Sequence, residues 1–177
     1  MGKVFLDMAI SLDGFVAGEN NTDGGLHDWY FSPDQKSSQI LEQLQNGIGA
    51  MILGKTAFGD NPDGFDTPYK VPHFVLTHTA KATISRDGAE FIFVTDGLEG
   101  ALAQAQAAAG EKDVCIAGGA STAQQFLQSG LLEEIHLHLV PVLLGCGLRL
   151  FADQSVKLEL LKVIVAPLAT HLRYRVL

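Results

Sequence analysis

Positive charge is scarce in this chain. Twelve Lys and Arg stand against twenty Asp and Glu, a formal charge of −8 at pH 7. That argues against nucleic acid as a partner, although an acidic protein can still hold phosphates in a local pocket. Cysteine is scarcer still. Cys115 and Cys146 fall in different segments with no metal-ligand spacing, so they read as a buried thiol and a loop thiol. No apolar run exceeds the length of a strand, and no membrane helix is expected. The opening MGKVFLDMAI lacks the basic head and small-residue cleavage site of a signal peptide, so a cytoplasmic protein is expected. There is no low-complexity run, and 47% hydrophobic against 18% charged residues excludes disorder. Neither GxxxxGK[ST] nor GxGxxG occurs, which removes P-loop NTPases and ordinary Rossmann domains. What remains is enough chain, residues 1–177, for one domain with a full core.

Strands and helices alternate first, and strands alone follow. Lys3 to Ser11 reads as a first strand. Residues 13 to 31, rich in Gly, Asn and Asp, read as a long loop, which in a compact domain is more often functional than idle. Ser32-Pro33-Asp34-Gln35 predicts a helix start with Ser32 as N-cap and Pro33 at the first helical position, and Asn46-Gly47 its stop. AMIL (50–53), HFVLT (73–77) and EFIFV (90–94) are short buried strands. Asp96 caps the helix LEGALAQAQAAA, which Gly110 ends. DVCIA, the helix TAQQFLQ and its stop at Ser129-Gly130 follow. After Leu131 come EIHLHLVPVLL, VKLELLKVIVA and THLRYRVL, all strand-like. The pattern predicts an α/β protein with a mostly parallel sheet and antiparallel strands at its C-terminal end.

In open α/β sheets ligands bind beyond the carboxyl ends of the strands. Here those ends carry small and polar residues: Ser11-Leu12-Asp13-Gly14, Gly54-Lys55-Thr56, Thr77-His78-Thr79 and Gly118-Gly119-Ala120-Ser121. One such end means little, because Gly, Ser and Thr end strands well. Four ends, one with Lys beside Gly and one with a glycine pair opening a helix, favour a phosphate-bearing ligand. The glycine pair itself has two readings, a steric one in which it supplies unusual φ values and a chemical one in which it admits an anion.

The order of these segments, above all VCIAGGASTAQQFLQSGLLEEIHLHLVPVLLGCGLRLF, resembles the dihydrofolate-reductase-like superfamily. Within it the chain is similar to the reductase domain of bacterial riboflavin biosynthesis and its stand-alone relatives. The resemblance implies a three-layer α/β/α fold, NADPH as cofactor, and hydride transfer to a flat nitrogen heterocycle of pyrimidine or pterin type. It implies that Gly118, Gly119, Ala120, Ser121 and Thr122 meet the pyrophosphate and nicotinamide side, Gly54, Lys55 and Thr56 the phosphates, and Thr77 and His78 the adenosine end. Ala9 and Ile10 would line the nicotinamide pocket, and Asp13 and Gly14 would open a lid loop over it. It also implies a homodimer paired through the C-terminal strands.

The chain departs from the family in two places. Lys55 stands where the family usually has Arg, keeping the charge and losing the planar fork. The family's substrate-phosphate arginines are missing from HDWYFSPDQKSSQILEQL, where Lys36 is the only cation among Asp23, Asp28, Asp34 and Glu42. A neutral or cationic heterocycle is therefore expected over a phosphoribosyl one, unless Arg86, Arg149, Arg173 or Arg175 folds towards the cleft. Asp28 and Asp34 are the candidate acids, and the plainer, competing reading of Asp34 is a first-turn acid favoured by the helix dipole. Trp29 and Tyr30 either stack on a heterocycle or anchor the loop. His136 and His138 share a face of one strand with no third ligand at matching spacing, so no metal is expected and an exposed or interface face is. Asp7 is expected on an exposed or polar side, and Gly145 and Gly147 in a hairpin turn. A nucleotide-binding protein without turnover and a flavin-binding reductase stay open as alternatives.

Overall fold

The computed structural model describes residues 2–151 and 155–177. In chain order the elements are β1 (Val4–Ser11), β2 (Phe15–Ala17), a 3-10 turn (Glu19–Asn21), α1 (Asp28–Phe31), α2 (Gln35–Gly47), β3 (Ile48–Gly54), α3 (Lys55–Phe58), β4 (Pro72–Leu76), β5 (Ile84–Arg86) and β6 (Ala89–Val94). Then come α4 (Gly97–Ala109), β7 (Asp113–Ile116), α5 (Ala120–Gln128), β8 (Glu134–Val140), β9 (Leu148–Arg149), β10 (Leu158–Val165) and β11 (Thr170–Val176). Nine strands form one sheet in the order β10-β11-β8-β1-β7-β3-β4-β6-β5, and β2 pairs with β9 in a separate ribbon. The run from β8 to β6 is parallel, and β11, β10 and β5 are antiparallel edges. No helix among the described residues is long and apolar enough to cross a membrane.

Alternation along β1 builds the layers. Val4, Leu6 and Ile10 join a core with Ala101, Leu102, Ala105 and Ala109 of α4 and Phe126 and Leu127 of α5. Phe5 faces the other way, onto Leu44 of α2, with Met51 and Cys115. The buried stripe of α4 recurs at helical spacing, and Gly110 at φ +61° lets the chain leave it.

Several local expectations are corrected. Helix α2 starts later than Ser32-Pro33 implies, because Asp34 is the N-cap and its carboxylate accepts from the N–H groups of Lys36 and Ser37. The segment 13–31 is not a bare loop: burial of Leu26 and Trp29 and pairing of β2 with β9 give it structure. The strand read through EIHLHLVPVLL stops at Val140, since Pro141 has no N–H for the ladder. Gly147 does more than turn a hairpin. A Cβ there would run into the Ala17 carbonyl and the Gly18 backbone, so glycine lets the two segments touch.

Candidate active site

The four polar strand ends belong to β1, β7, β3 and β4, which are neighbours in that order and parallel. They therefore line one edge of the sheet. At its centre the Gly54 N–H donates to the Gly118 carbonyl at 2.8 Å. Gly54 is buried and a Cβ on it would strike Thr122 Oγ1, so the glycine brings the end of β3 against the start of α5. Gly118 has φ +106° and its peptide bond to Gly119 is cis. The first bond inside α5 runs from Ala123 N–H to the Gly119 carbonyl at 3.0 Å, and no side chain caps the helix. The N–H groups of Ala120, Ser121 and Thr122 thus lie ahead of the helical ladder, where the dipole favours an anion. A Cβ on Gly119 would meet nothing within 4 Å, so that face of the turn is open. The residues present fit a pyrophosphate.

Around this cradle the other expected contacts fall unevenly. Lys55 opens α3 and its Nζ donates to the Gly59 carbonyl and to Asp60, each at 2.7 Å. Thr56 is exposed beside it. One strand further out, Thr77 Oγ1 accepts from the Thr79 N–H, and His78 is exposed. Ile10 and Ala9 point to opposite faces, Ile10 into the core under α4 and α5 and Ala9 towards Leu26 and Trp29. Asp13 does not hang over the cleft as a free lid residue. Its carboxylate accepts from Ser11 Oγ at 2.5 Å and from the N–H groups of Leu144 and Gly145. The Ser11 bond first, aided by those N–H groups, holds its pKa down at about 2. Gly14, at φ +91°, makes the turn that follows.

Beside the glycine pair, on the α2 face of the sheet, lies a cleft of ≈ 400 Å³. Asp7, Ala9, Trp29, Tyr30, Tyr69 and His138 line it, and so does Ala117, the residue before Gly118. Asp7 is the acid the sequence reading placed on an exposed or polar side. It is largely buried, with 17% of its side chain exposed, and His138 Nε2 lies 3.1 Å from its carboxylate. Burial works to raise the Asp7 carboxyl, but His138, then His136 and His171, outweigh it and hold the pKa below the ordinary carboxylate value. Burial, and then the Asp7 charge, raise the hydroxyls of Tyr69 and Tyr30, which bond to each other. Asp28 is exposed at the start of α1 and is not among the cleft residues, nor is Asp34. Trp29 is buried at 3% exposure, its ring 4.2 Å from that of His138, and its indole N–H has no partner among the described residues.

His136 and His138 are the second correction, for neither is exposed. His136 stacks on Phe5 and bonds to Glu134. His138 bonds through Nδ1 to Nδ1 of His171 at 2.7 Å. His171 Nε2 in turn lies 3.2 Å from Ser37 Oγ, and Ser37 Oγ lies 2.8 Å from Asp34 Oδ2. Burial first, then His138, brings the His171 pKa down to about 4. The sequence signal for this group was a lone Asp inside an apolar strand, since a buried charge must find a partner. Register supplies it: Ala9 of β1 stands opposite His138 and His138 opposite His171, so the chain crosses three adjacent strands.

The comparisons agree with this architecture. A Bacillus subtilis protein, the uncharacterized YyaP, is 29% identical over 168 residues, which covers 89% of this chain and 85% of that one. The crystal structure of a putative riboflavin biosynthesis protein from Shewanella sp. PV-4 superposes with a TM-score of 0.75 at 24% identity, covering 98% of both chains. A dihydrofolate reductase from Enterococcus faecalis, complexed with NADP(H), superposes with a TM-score of 0.65 at 16% identity, covering 99% of this chain and 96% of that one. At these identities the superpositions establish the dihydrofolate-reductase-like fold. The RibD C-terminal domain model matches residues 2–171, nearly the whole length, and the chain belongs to that family.

Proposed function

We propose that this protein binds NADPH along the edge formed by β1, β7, β3 and β4 and reduces a neutral, flat nitrogen heterocycle in the adjoining cleft. The observation that carries the reading is the junction of two sites: Ala117 lines the cleft and the next two residues form the open glycine cradle. When bound, the dihydronicotinamide supplies the hydride. The chain's own residues do the rest. The N–H groups of Ala120 to Thr122 hold the pyrophosphate, and Lys55 reaches the phosphates. Trp29 forms part of an apolar wall that excludes water, and Asp7 presents a carboxylate to the heterocycle.

Charge favours a substrate without a phosphoribosyl group. Each of the four arginines left open by the sequence is already engaged: Arg86 with Asp66 at the cleft rim, Arg149 over the Phe15 ring and on the Asp13 carbonyl, Arg173 near Glu134, and Arg175 with Glu159. None of them lines the cleft, and a dianion there would meet the Asp7 carboxylate. The test has two steps. Gly119→Val should stay folded, because its Cβ has free space and its φ is −70°, yet lose NADPH affinity by blocking the anion. Equal titration curves for the two proteins would remove the cradle. NADPH oxidation is then measured with dihydrofolate and with the phosphoribosylamino-uracil. Reduction of the phosphorylated compound alone overturns the charge argument, and binding of NADPH without oxidation by either, or by a flavin, favours a nucleotide-binding protein without turnover.

A further inference from the structure

Reduction of a heterocycle by hydride needs a proton as well, and the structure assigns its source: the chain Asp7–His138–His171–Ser37–Asp34 stores one extra proton at the cleft wall. This inference rests on the reductase reading for its use but not for its existence. Four contacts join the five groups: Asp7 to His138 at 3.1 Å, His138 to His171 at 2.7 Å, His171 to Ser37 at 3.2 Å, and Ser37 to Asp34 at 2.8 Å. Each needs one hydrogen. Ionised carboxylates at both ends only accept. Neutral Ser37, His171 and His138 bring one hydrogen each, so three hydrogens face four contacts. A contact without its hydrogen sets two lone pairs against each other, which is most costly at the buried His138–His171 and His171–Ser37 contacts. The fourth contact is filled by one further proton.

The order of donors follows from the Asp34 end. Asp34 Oδ1 accepts from the N–H groups of Lys36 and Ser37, and Oδ2 accepts from Ser37 Oγ. Ser37 Oγ then accepts from His171 Nε2–H, and His171 Nδ1 accepts from His138 Nδ1–H. His138 Nε2–H points at Asp7, so His138 is the imidazolium. The low pKa of His171, caused first by burial and then by His138, agrees with a single proton on that ring. Other groups also face the pair, and the Lys162 ammonium is one of them. His136 bonds to Glu134, which Lys3 and Arg173 also approach. Tyr30 and Tyr69 bond to each other, and burial raises the Cys115 thiol. Lys162 and Arg173 line a second, smaller cavity that Asp7, His138 and His171 also border.

In the reaction, hydride adds to a ring carbon and the π electron pair moves to the adjacent ring nitrogen. That nitrogen takes the proton of His138 Nε2 by way of the Asp7 carboxylate, and the nicotinamide leaves oxidised. The substrate gains two electrons and two hydrogens, His138 becomes neutral, and water returns the proton once product departs.

Asp34→Asn tests the count. The Asn Oδ1 must still accept from the two backbone N–H groups, so its NH2 takes the place of Oδ2 and donates to Ser37. That supplies the missing hydrogen. The ring nitrogens are read by nitrogen-15 NMR of histidine-labelled protein near pH 7. In the wild type, His138 should carry protons on both nitrogens and His171 on Nε2 alone. In Asp34→Asn, His138 should keep only its Nε2 proton and His171 should switch to Nδ1–H. Asn caps helices as well as Asp does, so a purely structural Asp34 would leave both rings unchanged. With dihydrofolate as probe, kcat should fall about 10²-fold, the lower range for general acid catalysis, with KM little changed. A neutral His138 in the wild type, or an unchanged His171 in the variant, overturns the proposal even if dihydrofolate is reduced. A doubly protonated His138 in a protein that reduces no heterocycle overturns the reductase reading and the delivery step with it.

Discussion

Lys55 shows how one residue can sit between two roles. Its ammonium donates to Gly59 and Asp60, and about a third of its side chain is exposed, so it is a charge already paired at the mouth of the phosphate edge. A 2′-phosphate would compete with Asp60 for it. Lys55→Ala should therefore weaken NADPH more than NADH, by about fivefold at low salt, the ~1 kcal/mol expected of a partly exposed pair. Titration of both cofactors against both proteins checks this, and an unchanged affinity ratio removes Lys55 from that role. The cofactor side was legible because backbone chemistry is: glycines at strand ends announce themselves in one dimension. The acid was not. Asp34 stands out because it lies in the first turn after a long loop and Asp28 because it lies just before that turn, while Asp7 acquires its meaning only from strands 130 and more residues away, through register that no local pattern encodes. Asp34 is nonetheless joined to Asp7 through three side chains.

At the scale of elements, the helices α4 and α5 and the parallel strands other than β8 follow from periodicity and stop signals, and they fall within a residue or two of their expected places. The short pieces, β2, β5, β9, α1 and α3, escaped because their stability comes from contacts distant in sequence rather than from propensity. The β2–β9 ribbon is the instructive case. Asp13 ties it by accepting from Leu144 and Gly145, Arg149 lies over Phe15 and donates to the Asp13 carbonyl, and the Gly147 backbone lies on Ala17. Asp13→Ala frees two N–H donors and the Ser11 hydroxyl together. Amide exchange should rise across Phe15–Ala17 and Leu148–Arg149 while α4 keeps its protection. Uniform loss of protection would mean that the ribbon is part of the global core and not a separate clasp.

For the whole molecule, pH and assembly are the accessible tests. His171 titrates at about 4 in the fold against 6.5 when free, so between those values the unfolded chain binds more protons. Stability should fall as pH drops from 6.5 towards 4, and the lowered Asp7 carboxyl, ordinarily near 3.8, adds to the loss at the acid end. Urea midpoints across that window check the slope, and His171→Gln should flatten it. Assembly turns on β10, the outermost strand of the sheet, which exposes Leu158, Leu160, Val163 and Val165 at 40%, 54%, 46% and 63%. An edge strand with this much apolar surface invites pairing, and a two-fold partner is the commonest cover. His136 and His138, expected on an exposed or interface face, are buried within the subunit and do not present such a surface themselves. The expectation of a homodimer passes instead to β10. Light scattering at micromolar concentration should give twice the chain mass for the wild type and the single mass for the double substitution Leu160→Lys, Val163→Lys. Those side chains are exposed in one subunit, so the double variant should keep its helical and sheet content. A wild-type monomer would leave β10 a bare edge and end the argument for a dimer through it.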